Sequence, residues 1–185
     1  MDDSKIVDLY FERSESAIVE TDKKYGRLCR HIAMNILGNT DDSNECVNDT
    51  YLGAWNTIPP EKPNKFSAFI GRITRNLALK RYEYLSAAKR NPEAIMSLSE
   101  LDDIVSGRKN VEDEVENKRI EQVISGFLRQ QDKDKRTVFI RRYWYFESID
   151  RISKRYSFSH SKVTSMLYNT RQNLKKYLES EGIEI

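Results

Sequence analysis

The chain has 185 residues, 38% of them hydrophobic and 32% charged, with 31 Lys+Arg against 29 Asp+Glu for a formal net charge of +2. That size and mixture fit one domain or two small ones with modest apolar cores. Seven Gly and four Pro exclude collagen-like and Gly/Pro-rich disordered chains and supply too few turns for an all-β sandwich. No apolar run reaches the length of a membrane span. The opening MDDSKIVDLYFERSE has acidic flanks and no long apolar stretch, so no signal peptide is expected. Two cysteines, Cys29 and Cys46, cannot build a disulfide framework and do not lie at zinc-site spacing. They are expected on helices as small apolar residues, in a cytoplasmic, mostly helical protein.

Helical periodicity organises the first ninety residues. Ile6, Leu9 and Tyr10 mark a short helix over 4–13, started by Ser4. Ile18, Val19, Tyr25, Leu28, Ile32, Ile36 and Leu37 continue as a longer stripe, on which His31 reads as structural. Gly38-Asn39 should stop it, because the turn needs positive φ. Asp41, Asp42 and Ser43 offer caps and first-turn acids to the next helix, which carries Val47, Tyr51, Leu52, Ala54 and Trp55. Pro59, Pro60 and Pro63 end it in an extended loop. Phe66, Phe69, Ile70, Ile73, Leu77 and Leu79 mark a fourth helix running to about Arg90. The pattern weakens over 91–110, which reads as a linker with one helical turn near 98–105. A second helical block opens at Asn110 with the stripe Val111, Val115, Ile120, Val123, Ile124, Phe127 and Leu128. The following helix carries Val138, Phe139, Ile140, Tyr143 and Trp144, with Asp132 or Asp134 as its cap. The expected fold is all-α: an N-terminal helical bundle over 1–90, an acidic linker over 91–110, and a C-terminal helix-turn-helix domain over 111–185.

Charge is unevenly spread. Residues 65–90 hold seven basic groups and one acid, Glu83, and residues 135–178 hold eleven basic groups against Glu147 and Asp150. Between them, residues 91–117 hold eight acids and two bases. Two basic blocks separated by an acidic one suit two contacts with a polyanion joined by a connector that avoids it. Solvated helix faces are the plainer alternative for either block alone.

The C-terminal stretch is the most specific. Ile149, Ile152 and Tyr156 span an eight-residue helix, Ser157-Phe158-Ser159 breaks it, and Ser159 can cap a longer helix bearing Val163, Met166, Leu167, Thr170, Leu174, Tyr177 and Leu178. Two helices joined by a tight turn make a helix-turn-helix. With Val163 at the centre of the buried face, Ser161, Ser165, Tyr168, Asn169 and Gln172 point outward, flanked by Lys162 and Lys176. Short polar donors near the start of such a helix suit major-groove base edges, and flanking cations suit phosphates. An αα-hairpin with a solvated face would share the pattern.

Two stretches carry a resemblance. Residues 45–58, ECVNDTYLGAWNTI, and 69–81, FIGRITRNLALKR, resemble region 2 of bacterial RNA polymerase sigma factors. Residues 138–178, with RRYWY, SIDRIS, SKVTSML and TRQNL, resemble region 4. With no intervening third region, the chain is similar to the small extracytoplasmic-function (ECF) type. The resemblance implies that Glu45, Asn48, Asp49 and Leu52 dock on the core polymerase. It implies that the loop 56–65, with Asn56 and Lys65 at its ends, captures a flipped base of the minus-ten element. Arg72, Arg75, Asn76, Lys80 and Arg81 would grip the minus-ten strand. Ser159, His160, Ser161, Lys162, Thr164, Ser165, Asn169 and Arg171 would read the minus-thirty-five element, where Met166 and Asn169 stand in place of two arginines common in the family. Implied partners are core RNA polymerase and promoter DNA, with an anti-sigma factor as a further candidate. No cofactor, metal, membrane insertion or small-molecule substrate is expected.

Such a factor is not an enzyme. The contrasting readings are a conventional helix-turn-helix regulator that binds duplex operator as a dimer, and a DNA-acting enzyme. For the enzyme, a metal site on the outward acids Glu45 and Asp49 is not expected, and no Walker or Rossmann glycine pattern appears.

Overall fold

The computed structural model describes residues 1–85, 89–105 and 114–183. Among the described residues all regular structure is helical, in nine helices and no strands, and no helix is long and apolar enough to cross a membrane. The chain divides into two compact units, Met1–Ala94 and Ile95–Ile185.

The first unit is built from α1 (Asp3–Phe11), α2 (Ser16–Leu37), α3 (Thr40–Thr57) and α4 (Phe66–Tyr84). The α2, α3 and α4 helices pack mutually, with α1 laid against α2 and α4. Their buried faces follow the stripes in the sequence: Ile32, Ile36 and Leu37 from α2, Val47, Tyr51 and Ala54 from α3, Phe66, Phe69 and Ile70 from α4. Tyr10 joins them, its ring 5.9 Å from Phe66 and 6.1 Å from Trp55, while its hydroxyl is hydrogen-bonded to that of Thr21. Cys29 and Cys46 are buried free thiols. The seam between α3 and α4 is lined by small residues. Thr50 donates to the Thr74 hydroxyl at 3.2 Å, the Cys46 thiol donates to the Thr74 carbonyl, and a Cβ on Gly53 would stand 3.1 Å from Ile73 Cγ2. Short side chains let the two backbones approach closely, and each buried hydroxyl finds an acceptor, as burial requires.

Several details differ from the expectation. The first helix starts at Asp3, after Asp2, rather than at Ser4. Gly38 ends α2 at φ +69 as expected. The cap of α3 is Asn39, whose side chain accepts from the Asp42 N–H; Ser43 is buried and donates back to the Asn39 carbonyl. Val19 does not join the α2 stripe and is 52% exposed. The fourth helix stops at Tyr84, six residues early, with Leu85 in extended backbone. Where a linker with a single helical turn was expected, Pro92–Val105 forms a fourteen-residue helix, α5. Pro92 is preorganised for the first helical position, the Asn91 side chain accepts from the Glu93 N–H, and Ala94 and Ser97, three apart, are fully buried. The rest of the expected linker, 106–110, and Val111 of the following stripe lie outside the described residues.

The second unit gathers α6 (Glu114–Gln130), α7 (Lys133–Tyr143), α8 (Ile149–Tyr156) and α9 (His160–Ser180) around Phe127, Val138, Phe139, Tyr143, Ile152, Val163, Leu167, Leu174 and Leu178. Asp132 precedes α7 at its N-cap. The α8–α9 connection is the three-residue break read from sequence. Ser157 adopts left-handed backbone at φ 55, the Phe158 N–H donates back to the Ser153 carbonyl, and Ser159 caps α9 by accepting from the Lys162 N–H.

Candidate nucleic-acid and polymerase-binding surfaces

On α3, burial of Cys46, Val47, Thr50, Tyr51 and Ala54 turns Glu45, Asn48, Asp49 and Leu52 outward together. Leu52 is 56% exposed, an apolar knob beside three polar groups. The two acids are not equivalent. Arg81 reaches over from α4 to Glu45 at 2.5 Å and to Asp42 at 2.8 Å, and its hydrogen bond holds the Glu45 carboxyl below the usual range. Asp49 makes no ion pair among the described residues. Arg81, expected on the minus-ten track, is thus occupied beside the α3 face.

On α4, Ala68, Arg72, Asn76, Lys80 and Tyr84 are exposed at four-residue steps, which align along one side of a helix. Arg72 lies 3.6 Å from Glu61 in the preceding loop, with its guanidinium 6.0 Å from the Phe69 ring. Arg75 stands apart from this ridge. Its guanidinium is largely buried, which holds its pKa below the ordinary arginine value. Tyr84, 81% exposed, ends the ridge and was not singled out from sequence, although its spacing from Lys80 was there to be seen.

The loop between α3 and α4 is pinned by Ile58, which is fully buried. Asn56 and Lys65 flank it and are exposed. Beside it lies a cavity of about 380 Å³ lined by Asp3, Ser4, Val7, Lys62, Asn64 and Phe66, among others. Arg13 braces the α3 side, donating to the Trp55 carbonyl at 2.6 Å and lying over its ring.

In the second unit, His160, Ser161, Lys162, Thr164, Ser165, Tyr168, Asn169 and Gln172 are all exposed on α9, as is Ser159 at its cap. Lys162 Nζ sits 3.8 Å from the centroid of the Phe158 ring, so its amine is held at the start of the helix. His160 lies 3.8 Å from Asp150, and Thr164 donates to the His160 carbonyl. Arg171 is the exception among the expected minus-thirty-five residues. It faces inward, donating to Glu100 and to the Tyr143 hydroxyl. Buried charge continues alongside: Glu147, with no exposed surface, takes Arg141 at 3.3 Å and Arg155 at 3.2 Å, and Arg142 donates to the Glu147 carbonyl. Glu100 was missed from sequence because a lone acid in an acidic stretch carries no sign of a buried partner.

Among the described residues, no group of three or more His, Cys, Asp or Glu could hold a metal ion. These surfaces offer an acidic-apolar helix face, a cationic ridge beside a loop cavity, and a polar helix N-terminus.

Residues 22–88 match the family described as Sigma-70 region 2. The match covers the larger part of α2, from residue 22, and all of α3 and α4, which carry the acidic face and the ridge, with the loop between them. A region 2 domain supports a sigma-70 family factor and indicates a role in transcription initiation and RNA polymerase binding. No curated protein matches the chain significantly.

Proposed function

We propose that this chain is a transcription initiation factor of the ECF type, which binds core RNA polymerase and directs it to particular promoters. The observation that carries the reading is the joint placement, within the stretch matching region 2, of an exposed acidic-apolar α3 face and an exposed cationic α4 ridge. Glu45, Asn48, Asp49 and Leu52 contact the polymerase. Arg72, Asn76 and Lys80 track the phosphates of the minus-ten strand, and the loop 56–65 holds an unstacked base. Such a protein opens DNA without fuel by binding the melted strand better than the duplex. Unstacking a base costs a few kcal/mol, and each base held by stacking returns about 1–3 kcal/mol. The exposed N-terminal face of α9, from Ser159 to Asn169, reads the minus-thirty-five element, with Lys162 at a base edge or a phosphate.

The test is transcription in vitro with bacterial core polymerase, with and without the chain, on a promoter library. Initiation at a defined subset of promoters, dependent on the chain, is the expected result. Sequence-specific binding of duplex operator by a dimer of the chain alone, with no effect on core polymerase, would identify a conventional regulator instead.

A further inference from the structure

The first turn of α9 carries Lys162 and no acid, although the helix dipole favours negative side chains there and disfavours cations. Lys162 is exposed and makes no ion pair among the described residues. Its amine meets a ring instead. Nζ lies 3.8 Å from the centroid of Phe158. An atom beside the ring edge could not come so near the centroid. The amine therefore stands over the face, where the ring quadrupole attracts a cation.

Both ends of this contact are fixed from the backbone. The Phe158 N–H donates to the Ser153 carbonyl at 3.1 Å, and the Lys162 N–H donates to the Ser159 side chain at 3.2 Å. The half-buried Phe158 ring is braced as well. Tyr156 stacks on it at 6.2 Å with 27° between the planes, and the Tyr156 hydroxyl accepts from Arg141 Nε on α7 at 3.1 Å. The ring also sets a direction. Helical side chains lean toward the N-terminus, and residue 158 precedes α9, so the amine is drawn back to the turn. Ser161, Ser165 and Asn169 stay on the outward face.

We infer that Phe158 is a positioning residue for promoter binding: its ring holds the Lys162 amine beside the turn, where it takes a backbone phosphate of the minus-thirty-five duplex rather than a base edge. The inference rests on the reading of α9 as the helix that enters the major groove. A helix seated by its N-terminal end brings its first turns to base edges and the turn before it to the rim of the groove, where phosphates lie. A lysine amine on its four-carbon stem gives up rotamer freedom when it binds. Phe158 removes part of that freedom before DNA arrives, so the phosphate contact costs less. The anchored amine fixes how α9 sits in the groove and leaves base discrimination to the outward polar residues.

The experiment uses the full chain bound to core polymerase and measures affinity for a set of promoter duplexes as salt is varied. Phe158→Leu removes the quadrupole and keeps an apolar side chain in the turn. It should weaken binding to all duplexes alike, by about two- to fivefold, the range of an exposed cation–π contact. Phe158→Tyr, which keeps the ring, should bind as wild type does. Lys162→Met should flatten the log–log salt dependence by about 0.9, the share of one phosphate. On that background Phe158→Leu should cost nothing further. A Phe158→Leu loss equally large on the Lys162→Met background would overturn the inference, because the ring would then serve packing alone. Lost preference at a single base pair in Lys162→Met, with the salt slope unchanged, would also overturn it, by making Lys162 a base reader. Should Phe158→Leu fail to fold, phenylalanines carrying successive ring fluorines at position 158 keep the shape of the ring and drain charge from its face. Affinity should fall with each fluorine in the chain that retains Lys162 and stay level in Lys162→Met. A level series in both backgrounds overturns the inference. If the wild-type chain does not direct core polymerase to any promoter, it is the proposed function that fails. Where it does, these outcomes bear on Phe158 and Lys162 alone.

Discussion

Asp49→Arg should sever polymerase docking while leaving the fold intact, and the contrast with Glu45 makes the test sharp. Both acids are exposed on one face of α3, but Arg81 already neutralises Glu45 within the chain, whereas Asp49 has no ion-pair partner among the described residues. Asp49 is therefore an unneutralised charge that α3 presents to a basic partner, along with exposed Asp41 in its first turn. At about 6 Å from a partner cation and an effective dielectric constant of about 40, one unit charge contributes about 1.4 kcal/mol. Reversing its sign doubles that to about 2.8 kcal/mol, on the order of a 100-fold weaker complex, and salt screening trims the figure. Stability should move by no more than about 0.5 kcal/mol, as for most surface changes. Glu45→Arg should behave differently. It sets a cation against Arg81, so the melting temperature of the first unit should fall along with the affinity. Fluorescence anisotropy of labelled chain titrated with core polymerase, paired with thermal melts by circular dichroism, reads both quantities. Asp49→Arg binding within about threefold of wild type would refute the docking role of this face.

Further outcomes follow from buried and paired groups. Asp22 accepts from the Tyr51 hydroxyl at 2.7 Å and pairs with Arg30 at 3.0 Å, and its carboxyl is held below its ordinary value first by Tyr51, then by Arg30. Its contribution to stability is therefore complete above about pH 4, its unfolded pKa, and is lost as pH falls through the lower folded value. Tyr51→Phe should shrink this acid limb in denaturant midpoints taken from pH 3 to 7, and an unchanged limb would contradict the pairing. The Cys46 thiol, pushed up to about 12 by burial and then by Asp49, should resist thiol reagents at pH 8 until the chain is denatured. Rapid native labelling would mean that the α3–α4 seam opens readily. Arg142→Met strips Glu100 of its most buried partner and should cost the second unit about 3 kcal/mol, lowering its melting temperature by on the order of 15 °C. A fall of only about 3 °C would show that the cluster contributes little.

The helices were legible in the sequence wherever one mechanism set them. Gly38, the prolines after Thr57 and the Ser157-Phe158-Ser159 break each carry their own backbone chemistry, and the apolar stripes of α3, α4 and α9 turned the expected faces inward. The misses share a cause, which is that their determinants are tertiary. Nothing local in 92–105 announces that Ala94 and Ser97 will be buried or that Glu100 will find two arginines, so the acids of that stretch read as solvated. Likewise Arg75, Arg81 and Arg171 look interchangeable with Arg72 in a basic block, yet burial holds the first, two acids of α3 the second, and Glu100 the third. Composition counts cations; only packing says which are spent inside the molecule.

The close seam of Cys46 and Thr50 against Thr74, and of Gly53 against Ile73, gives the first unit a property that neither helix has alone. Two backbones in near contact, with paired hydroxyls between them, leave no slack for one helix to slide on the other. If α3 grips the polymerase and α4 the strand, the unit acts as a gauge block. The spacing between enzyme and DNA is set once, at folding, and is not renegotiated at each promoter. Changes on either outer surface can then alter how tightly each partner is held without altering where the DNA opens. A bulkier residue at Gly53 would do the reverse, leaving both contact surfaces intact while shifting the register between them.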